Sequence, residues 1–178
     1  MKSPKPRFDV VGQLGSLRRY ARSLTRNEAE VEDLVQDTLL RAYERRSHFR
    51  HGGNLKGWLL SILHNGFIDS KRSSQAEARR IEAMASIAET SLQPSQEHSI
   101  RLSEVRDAFF SLPEEQRAAL HLVAIENLSY AEASATLGIP VGTLMSRISR
   151  ARAALRSLET APQTGKAAHL KIVGGHDE

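Results

Sequence analysis

Apolar and polar positions alternate at helical spacing along most of the chain. Leu14, Leu17, Tyr20, Ala21 and Leu24 form one stripe, and Val31, Leu34, Val35, Thr38, Leu39 and Ala42 form a second. Leu55, Trp58, Leu59, Ile62, Leu63 and Phe67 form a third. Residues three and four apart share one face of a helix, so each stripe predicts an amphipathic helix with one side turned inward. Asn27, with Glu28, Glu30 and Glu32 behind it, marks the start of the second helix, because carboxylates suit the positive end of the helix dipole. His51-Gly52-Gly53-Asn54 breaks the chain before the third. Three such helices in succession predict a small bundle.

From residue 86 to 99 the composition turns to Ser, Gln, Thr and Glu with Pro94 and no sustained stripe, which predicts a solvated, flexible linker. Residues 76–88 keep helical propensity, so the first unit is expected to extend toward it. A second helical unit starts near Ile100, with Leu102, Val105, Ala108 and Phe109 in phase, and breaks at Leu112-Pro113. Pro113, Glu114 and Glu115 restart a helix that runs to about Glu126. Ser129-Tyr130-Ala131-Glu132 has the spacing of a capping box, and the helix it opens reaches Leu137 before Gly138 permits a sharp turn. A last helix follows from Val141 or Gly142 to about Leu158, and residues 161–178 read as a flexible tail. The predicted fold class is all-α: two small helical domains, residues 1–85 and 100–160, joined by a linker at 86–99.

The stretch Leu128–Arg156 reads as helix, tight turn and basic helix, the arrangement of a helix-turn-helix. Ala131, Ala135 and Leu137 are expected to pack against Ile139, Leu144 and Ile148, small residues permitting a close crossing. Away from that stripe the last helix carries Thr143, Ser146, Arg147, Ser149, Arg150 and Arg152, with no acidic residue between Pro140 and Leu158. Hydroxyls position phosphates, and an arginine reaches a guanine edge with two hydrogen bonds. An arginine-rich helix alone is more often plain solvated surface; the capped helix and glycine turn ahead of it favour DNA contact. On the second helix, Asp33, Gln36, Asp37 and Leu40 point away from the stripe and make a face suited to a basic partner.

Composition narrows the classes of function. Only 5% of the 178 residues are aromatic, against 40% hydrophobic overall, which favours thin helical layers over one deep core. The net charge is +4 and unevenly placed: residues 1–75 hold 14 basic against 8 acidic residues, and residues 101–178 hold 9 of each. A basic excess draws polyanions without setting sequence preference. The absence of cysteine removes disulfides, thiolate nucleophiles and the usual zinc sites, in keeping with a reducing cytosol. No signal-peptide core and no membrane-length apolar run is present, so a cytoplasmic chain without membrane insertion is expected. Seven histidines invite a metal site, but His48 and His51 stand at the Gly-Gly break, both just ahead of it, and no His-Glu-x-x-His spacing occurs. Neither a cofactor nor catalysis is expected.

Leu112-Pro113-Glu114-Glu115-Gln116-Arg117, then Leu128-Ser129-Tyr130-Ala131-Glu132-Ala133-Ser134, and then the run from Gly138 to Arg152 (GIPVGTLMSRISRAR) closely resemble the minus-thirty-five-recognising domain of extracytoplasmic-function sigma factors. Ala29 to Tyr43 (AEVEDLVQDTLLRAY) resembles the family's segment that grips the polymerase clamp. Asn54 to Asn65 (NLKGWLLSILHN), followed by Asp69-Ser70-Lys71-Arg72, resembles the part that melts and holds the minus-ten element. The resemblance covers about residues 10–158. It implies core RNA polymerase, bound through Asp33, Gln36, Asp37 and Leu40, and promoter DNA as partners, with an anti-sigma factor as a third, in a stress or environmental response. It further implies that Asn65, Asp69, Ser70, Lys71 and Arg72 serve the opened strand, while Trp58 is expected to pack in the core. This sequence departs from the family at Met145, where many members have a basic residue, and near Ser149, where many have an aromatic. With the acidic N-terminal region and middle domain of housekeeping sigma factors not seen here and the linker short, the extracytoplasmic-function branch is the one expected. A helix-turn-helix repressor that never touches polymerase, or a sigma-like decoy that occupies an anti-sigma factor, are the alternatives.

Overall fold

The structure is a computed structural model that describes residues 8–50, 52–82 and 100–160, and among them every regular element is helical. α1 spans Leu14–Leu24 after a short 3-10 turn at Val11–Gln13. Asn27 stands outside the next helix with its backbone extended, and its side-chain oxygen accepts from the amides of Ala29 and Glu30. Two of the orphan N–H groups at that end are thereby satisfied, and α2 runs Glu28–Glu44. α3 covers Leu55–Glu82, so the helical propensity beyond residue 75 is realised up to that point. The buried stripes meet as expected: Leu17, Tyr20 and Ala21 from α1, Val31, Val35, Thr38 and Ala42 from α2, and Leu59, Leu60 and Leu63 from α3. Thr38 fits among them because its hydroxyl donates to the carbonyl of Leu34 at 2.7 Å. Trp58 packs with the rings of Phe49 (5.2 Å between centroids) and Phe8 (6.0 Å), so it is spent on packing.

The rear unit comprises α4 (Ile100–Ser111), α5 (Glu114–Ala124), α6 (Tyr130–Leu137) and α7 (Val141–Thr160). Pro113 separates α4 from α5, and Glu114 and Glu115 occupy the first turn of α5. The capping box is present: Ser129 accepts from the amide of Glu132, whose carboxylate accepts from the amide of Ser129 at 2.8 Å. Gly138 has φ 64° and ψ 33°, the left-handed region that a side chain makes costly, and it turns the chain out of α6. The amide of Ile139 then closes on the carbonyl of Ser134 at 3.1 Å. The expected packing of Ala131 and Ala135 against α7 is not what the fold adopts. Ala131 and Ala135 are exposed, and Ala133, Ser134, Thr136 and Leu137 are buried instead. The eight-residue α6 is covered on two sides, by α3 and by α5 and α7, and the buried arc follows both partners. The linker at 86–99 and the tail at 161–178 lie outside the described residues.

The two units are packed on each other, α5 against α1 and α6 against α3, and their apolar residues form one continuous core. Arg117 of α5 is the centre of this contact. Its Nε and Nη2 donate to the carbonyls of Ser23 (2.5 Å) and Leu24 (3.2 Å), and its Nη1 donates to Leu112 (3.0 Å) and Phe110 (3.4 Å). Those carbonyls end α1 and α4, where helix backbone acceptors lack partners and the dipole is negative. Glu126, with 1% of its side chain exposed, receives Arg19 Nε at 3.0 Å, and its backbone carbonyl accepts from Lys56. Burial pushes the Glu126 carboxyl up, but hydrogen bonds from Arg19 and Ser16 and the Arg19 charge outweigh it and hold the group ionised.

Beside that pair the ring of His121 is buried against Tyr20, with centroids 5.4 Å apart. Its Nε2 lies 3.5 Å from the Glu126 carboxylate and has no hydrogen-bond partner. Tyr20 in turn shares a 3.0 Å hydrogen bond with His64 Nδ1. Burial lowers the pKa of His64 from its usual value, and lowers that of His121 to about 4 against the pull of Glu126.

Two consequences are measurable by urea unfolding. Arg117→Met strands buried carbonyls at two helix ends and is expected to cost roughly 2–4 kcal/mol, with the denaturation midpoint as the readout. Below pH 6.5 the unfolded chain takes up protons that His121 refuses until about pH 4, so stability falls as the solution is acidified through that window. Between pH 7 and pH 5 the loss attributable to His121 is on the order of 2 kcal/mol, and His121→Leu is expected to flatten the dependence.

Candidate protein and nucleic-acid interfaces

Packing fixes which side of each helix faces outward. On α2 the burial of Val31, Val35, Thr38 and Ala42 leaves Asp33, Gln36, Asp37 and Leu40 exposed, as the spacing predicts, with Leu40 57% exposed. Tyr43, 63% exposed, extends this face by one turn, and the Arg46 guanidinium lies 4.2 Å from the centre of its ring. Tyr43 closes the segment that resembles the clamp-gripping part of the family but was not among the four expected contact residues, and its place three positions after Leu40 puts it on the same face. Leucine and tyrosine beside two carboxylates make a surface that offers both apolar area and charge to a basic helical partner.

A groove of about 1100 Å³ runs between α2 and α3, and it joins Asp33, Asp37 and Leu40 to Asp69, Ser70 and Lys71. Arg41 crosses it, pairing with Asp37 at 2.8 Å and approaching Asp69 at 3.9 Å. Asn65, Asp69, Ser70, Lys71 and Arg72 are all exposed on α3. Because α3 is unbroken through this stretch, Asn65, Asp69 and Arg72 share one face at helical spacing, while Ser70 and Lys71 turn away from it. Lys71 pairs with Glu114 at the start of α5, so one basic residue expected to hold phosphate is tied to the rear unit in this arrangement.

On α7, Leu144, Ile148 and Ala151 are buried, and Thr143, Ser146, Ser149, Arg150 and Arg152 are exposed on the remaining surface. Arg147 is different. Its Nη2 donates to Glu115 of α5 at 2.7 Å with only 22% of the side chain exposed, so it braces α7 against α5 and does not reach outward with the others. Position 147 lies near the edge of the buried stripe, and a long side chain there finds an acidic helix start before it finds solvent. Ser146 donates its hydroxyl proton to the carbonyl of Gly142 at 3.0 Å and therefore presents lone pairs outward. Met145, which was not among the expected contact residues, is 51% exposed on the same surface. Among the described residues no helix is long and apolar enough to cross a membrane.

Residues 12–77 match the family model for sigma-70 region 2, and residues 102–155 match that for sigma-70 region 4. The ECF RNA polymerase sigma factor EcfG of Rhodopseudomonas palustris is 41% identical over 153 residues, covering 85% of this chain and 83% of that protein. The chain belongs to the extracytoplasmic-function sigma factors of the sigma-70 family. SigM of Bacillus subtilis is 32% identical over 79% of this sigma factor and 86% of its own length. Among solved structures, the sigma factor RpoE of Bartonella quintana, in complex with the anti-sigma factor NepR, is similar with a TM-score of 0.72 and 35% identity, covering 87% of this chain and 96% of that one. CnrH, solved with the cytosolic domain of CnrY, gives a TM-score of 0.60 at 28% identity, with 85% of each chain covered. As a member of this family the sigma factor directs promoter-specific transcription initiation with RNA polymerase. A repressor built on the helix-turn-helix alone leaves the match over residues 12–77 without a purpose.

Proposed function

We propose that the outward face of α2, formed by Asp33, Gln36, Asp37 and Leu40 and extended by Tyr43, docks on core RNA polymerase. Asn65, Asp69, Ser70, Lys71 and Arg72 receive the opened minus-ten strand, where binding of the exposed bases offsets the few kcal/mol needed to unstack each one. α7 grips the minus-thirty-five duplex through Thr143, Ser146, Ser149, Arg150 and Arg152, with Arg147 as the brace that sets its angle. The domain limits on this reading are residues 1–85 and 100–160. The sigma factor performs no chemistry itself, acts in the cytoplasm, serves a stress or environmental response and is held in check by an anti-sigma protein. The observation that supports this division is the presence of two unlike outward surfaces on separate units: acidic and apolar on α2, basic and hydroxyl-rich on α7.

The same reading requires movement. Elements named minus-ten and minus-thirty-five lie roughly 25 base pairs apart, about 85 Å along the duplex. A compact body of this chain length is only about 40 Å across. With α1 on α5 and α3 on α6, the closed molecule is too short to hold both elements, so the units part when the promoter is engaged.

Arg150→Ala is expected to lower promoter affinity about tenfold and leave core-polymerase affinity unchanged, whereas Asp37→Arg reverses the pattern; binding and run-off transcription with purified core measure both, and equal loss of both affinities in either variant would overturn the assignment. The movement is testable because the chain has no cysteine of its own. Thr136 Oγ1 donates to the carbonyl of Gly57 at 3.4 Å, so α6 touches α3 there, and a pair of cysteines across this contact, at positions whose Cβ atoms meet disulfide geometry, ties the two helices. The oxidised double variant is expected to bind core polymerase yet form no open complex, and reduction restores initiation.

A further inference from the structure

Met145 and Val141 are the features of α7 that polar DNA contacts leave unused. They are 51% and 41% exposed and stand one turn apart, side by side on the first half of the helix. At 100° per residue, and with Leu144, Ile148 and Ala151 facing the core, Arg150 and Arg152 fall on opposite edges of the outward surface. Met145, Ser149 and Ser146 lie between them. Arginines on both edges commit the occupant of this surface to a polyanion, and the N-terminal half of such a helix is the part that approaches base edges. In the major groove of duplex DNA the apolar group on offer is the C5-methyl of thymine. Arg147 lies on the far side of the helix, taken up by Glu115, and Ser146 has turned its proton inward, so on the Arg152 side the first half of α7 presents Met145 and Val141 as apolar readers.

We propose that Met145, backed by Val141, is a specificity-determining residue that reads a thymine methyl group within the upstream duplex element. The assignment rests on α7 being the helix that enters that duplex. It gives the sigma factor a preference at one base pair that depends on van der Waals contact with a methyl group and not on a hydrogen bond. Loss of one buried methyl-sized contact corresponds to about a fourfold weaker complex.

The test uses the full chain assembled with core polymerase on a promoter identified by mapping transcript starts after overexpression. Each thymine of the upstream element, on either strand, is replaced in turn by deoxyuridine, which removes the methyl group and leaves base pairing intact. Wild-type holoenzyme is expected to lose about fourfold in affinity at one position. Met145→Ala is expected to show the same reduced affinity on the thymine duplex and no further loss with deoxyuridine at that position. Its melting temperature stays at the wild-type value because the side chain is exposed. A flat deoxyuridine scan, or an unchanged response in Met145→Ala, overturns the proposal. Arg150→Ala separates this failure from a wider one: if it lowers upstream affinity about tenfold while the scan is flat, only the methyl contact is wrong. If Arg150→Ala also leaves upstream binding intact, α7 is not the helix in the groove, and both readings fall.

Discussion

One guanidinium holds the ends of two helices that belong to different halves of the chain. Arg117 donates to the last carbonyls of α1 and to carbonyls at the end of α4, groups that a helix leaves without internal partners. Burial lowers its pKa, yet a guanidinium stays charged under any ordinary condition, so the positive charge faces two negative helix termini at once. Without it, docking α5 on α1 would bury several acceptors with nothing to meet them, at a cost of a few kcal/mol drawn from the stability of the closed arrangement. The closed arrangement therefore depends on a polar contact set inside an apolar one.

Glu126 has the complementary role. A fully buried carboxylate is expensive, and pairing it with Arg19, which stays half exposed, recovers only part of that cost. What the pair does give is register: α5 must lie so that Glu126 meets Arg19 of α1 and its carbonyl meets Lys56 of α3. Groups of this kind are satisfied by one another when the units touch and by water when they part, which distinguishes this interface from an all-apolar core. The neutral His121 beside the pair makes the arrangement sensitive to acid, since protonation there inserts a charge into a site packed for an aromatic ring.

Much of the fold was legible from local spacing. The stripes on α1, α2 and α3, the Asn27 cap, the break at Pro113, the capping box at Ser129 and the left-handed Gly138 depend on residues within a turn or two of one another. The α2 and α7 surfaces were legible for the same reason: what a helix turns outward is the complement of what it buries. The misplaced contacts share a different cause. Ala131 and Ala135 were assigned inward on the premise that α6 has one neighbour, whereas α3 covers it as well. Arg147 was assigned outward because nothing near it in sequence is acidic, yet Glu115 comes from the preceding helix pair. Tyr43 and Met145 stood in the matching segments but outside the expected contact sets, because exposure of an apolar side chain is a property of packing, invisible in a periodic pattern.

The sequence by itself determined the helices, their caps, the helix-turn-helix and the residue chemistry of each outward face, because these follow from backbone sterics and side-chain period over a few residues. Only the tertiary structure decided that the two halves lie on each other, that Glu126 is buried and that Lys71 and Arg147 are held by the acidic start of α5. Those contacts join positions as far as 94 and 107 residues apart, as between Arg117 and Ser23 or Arg19 and Glu126. Their strength comes from excluding water around charge, which no local pattern encodes until the chain has folded.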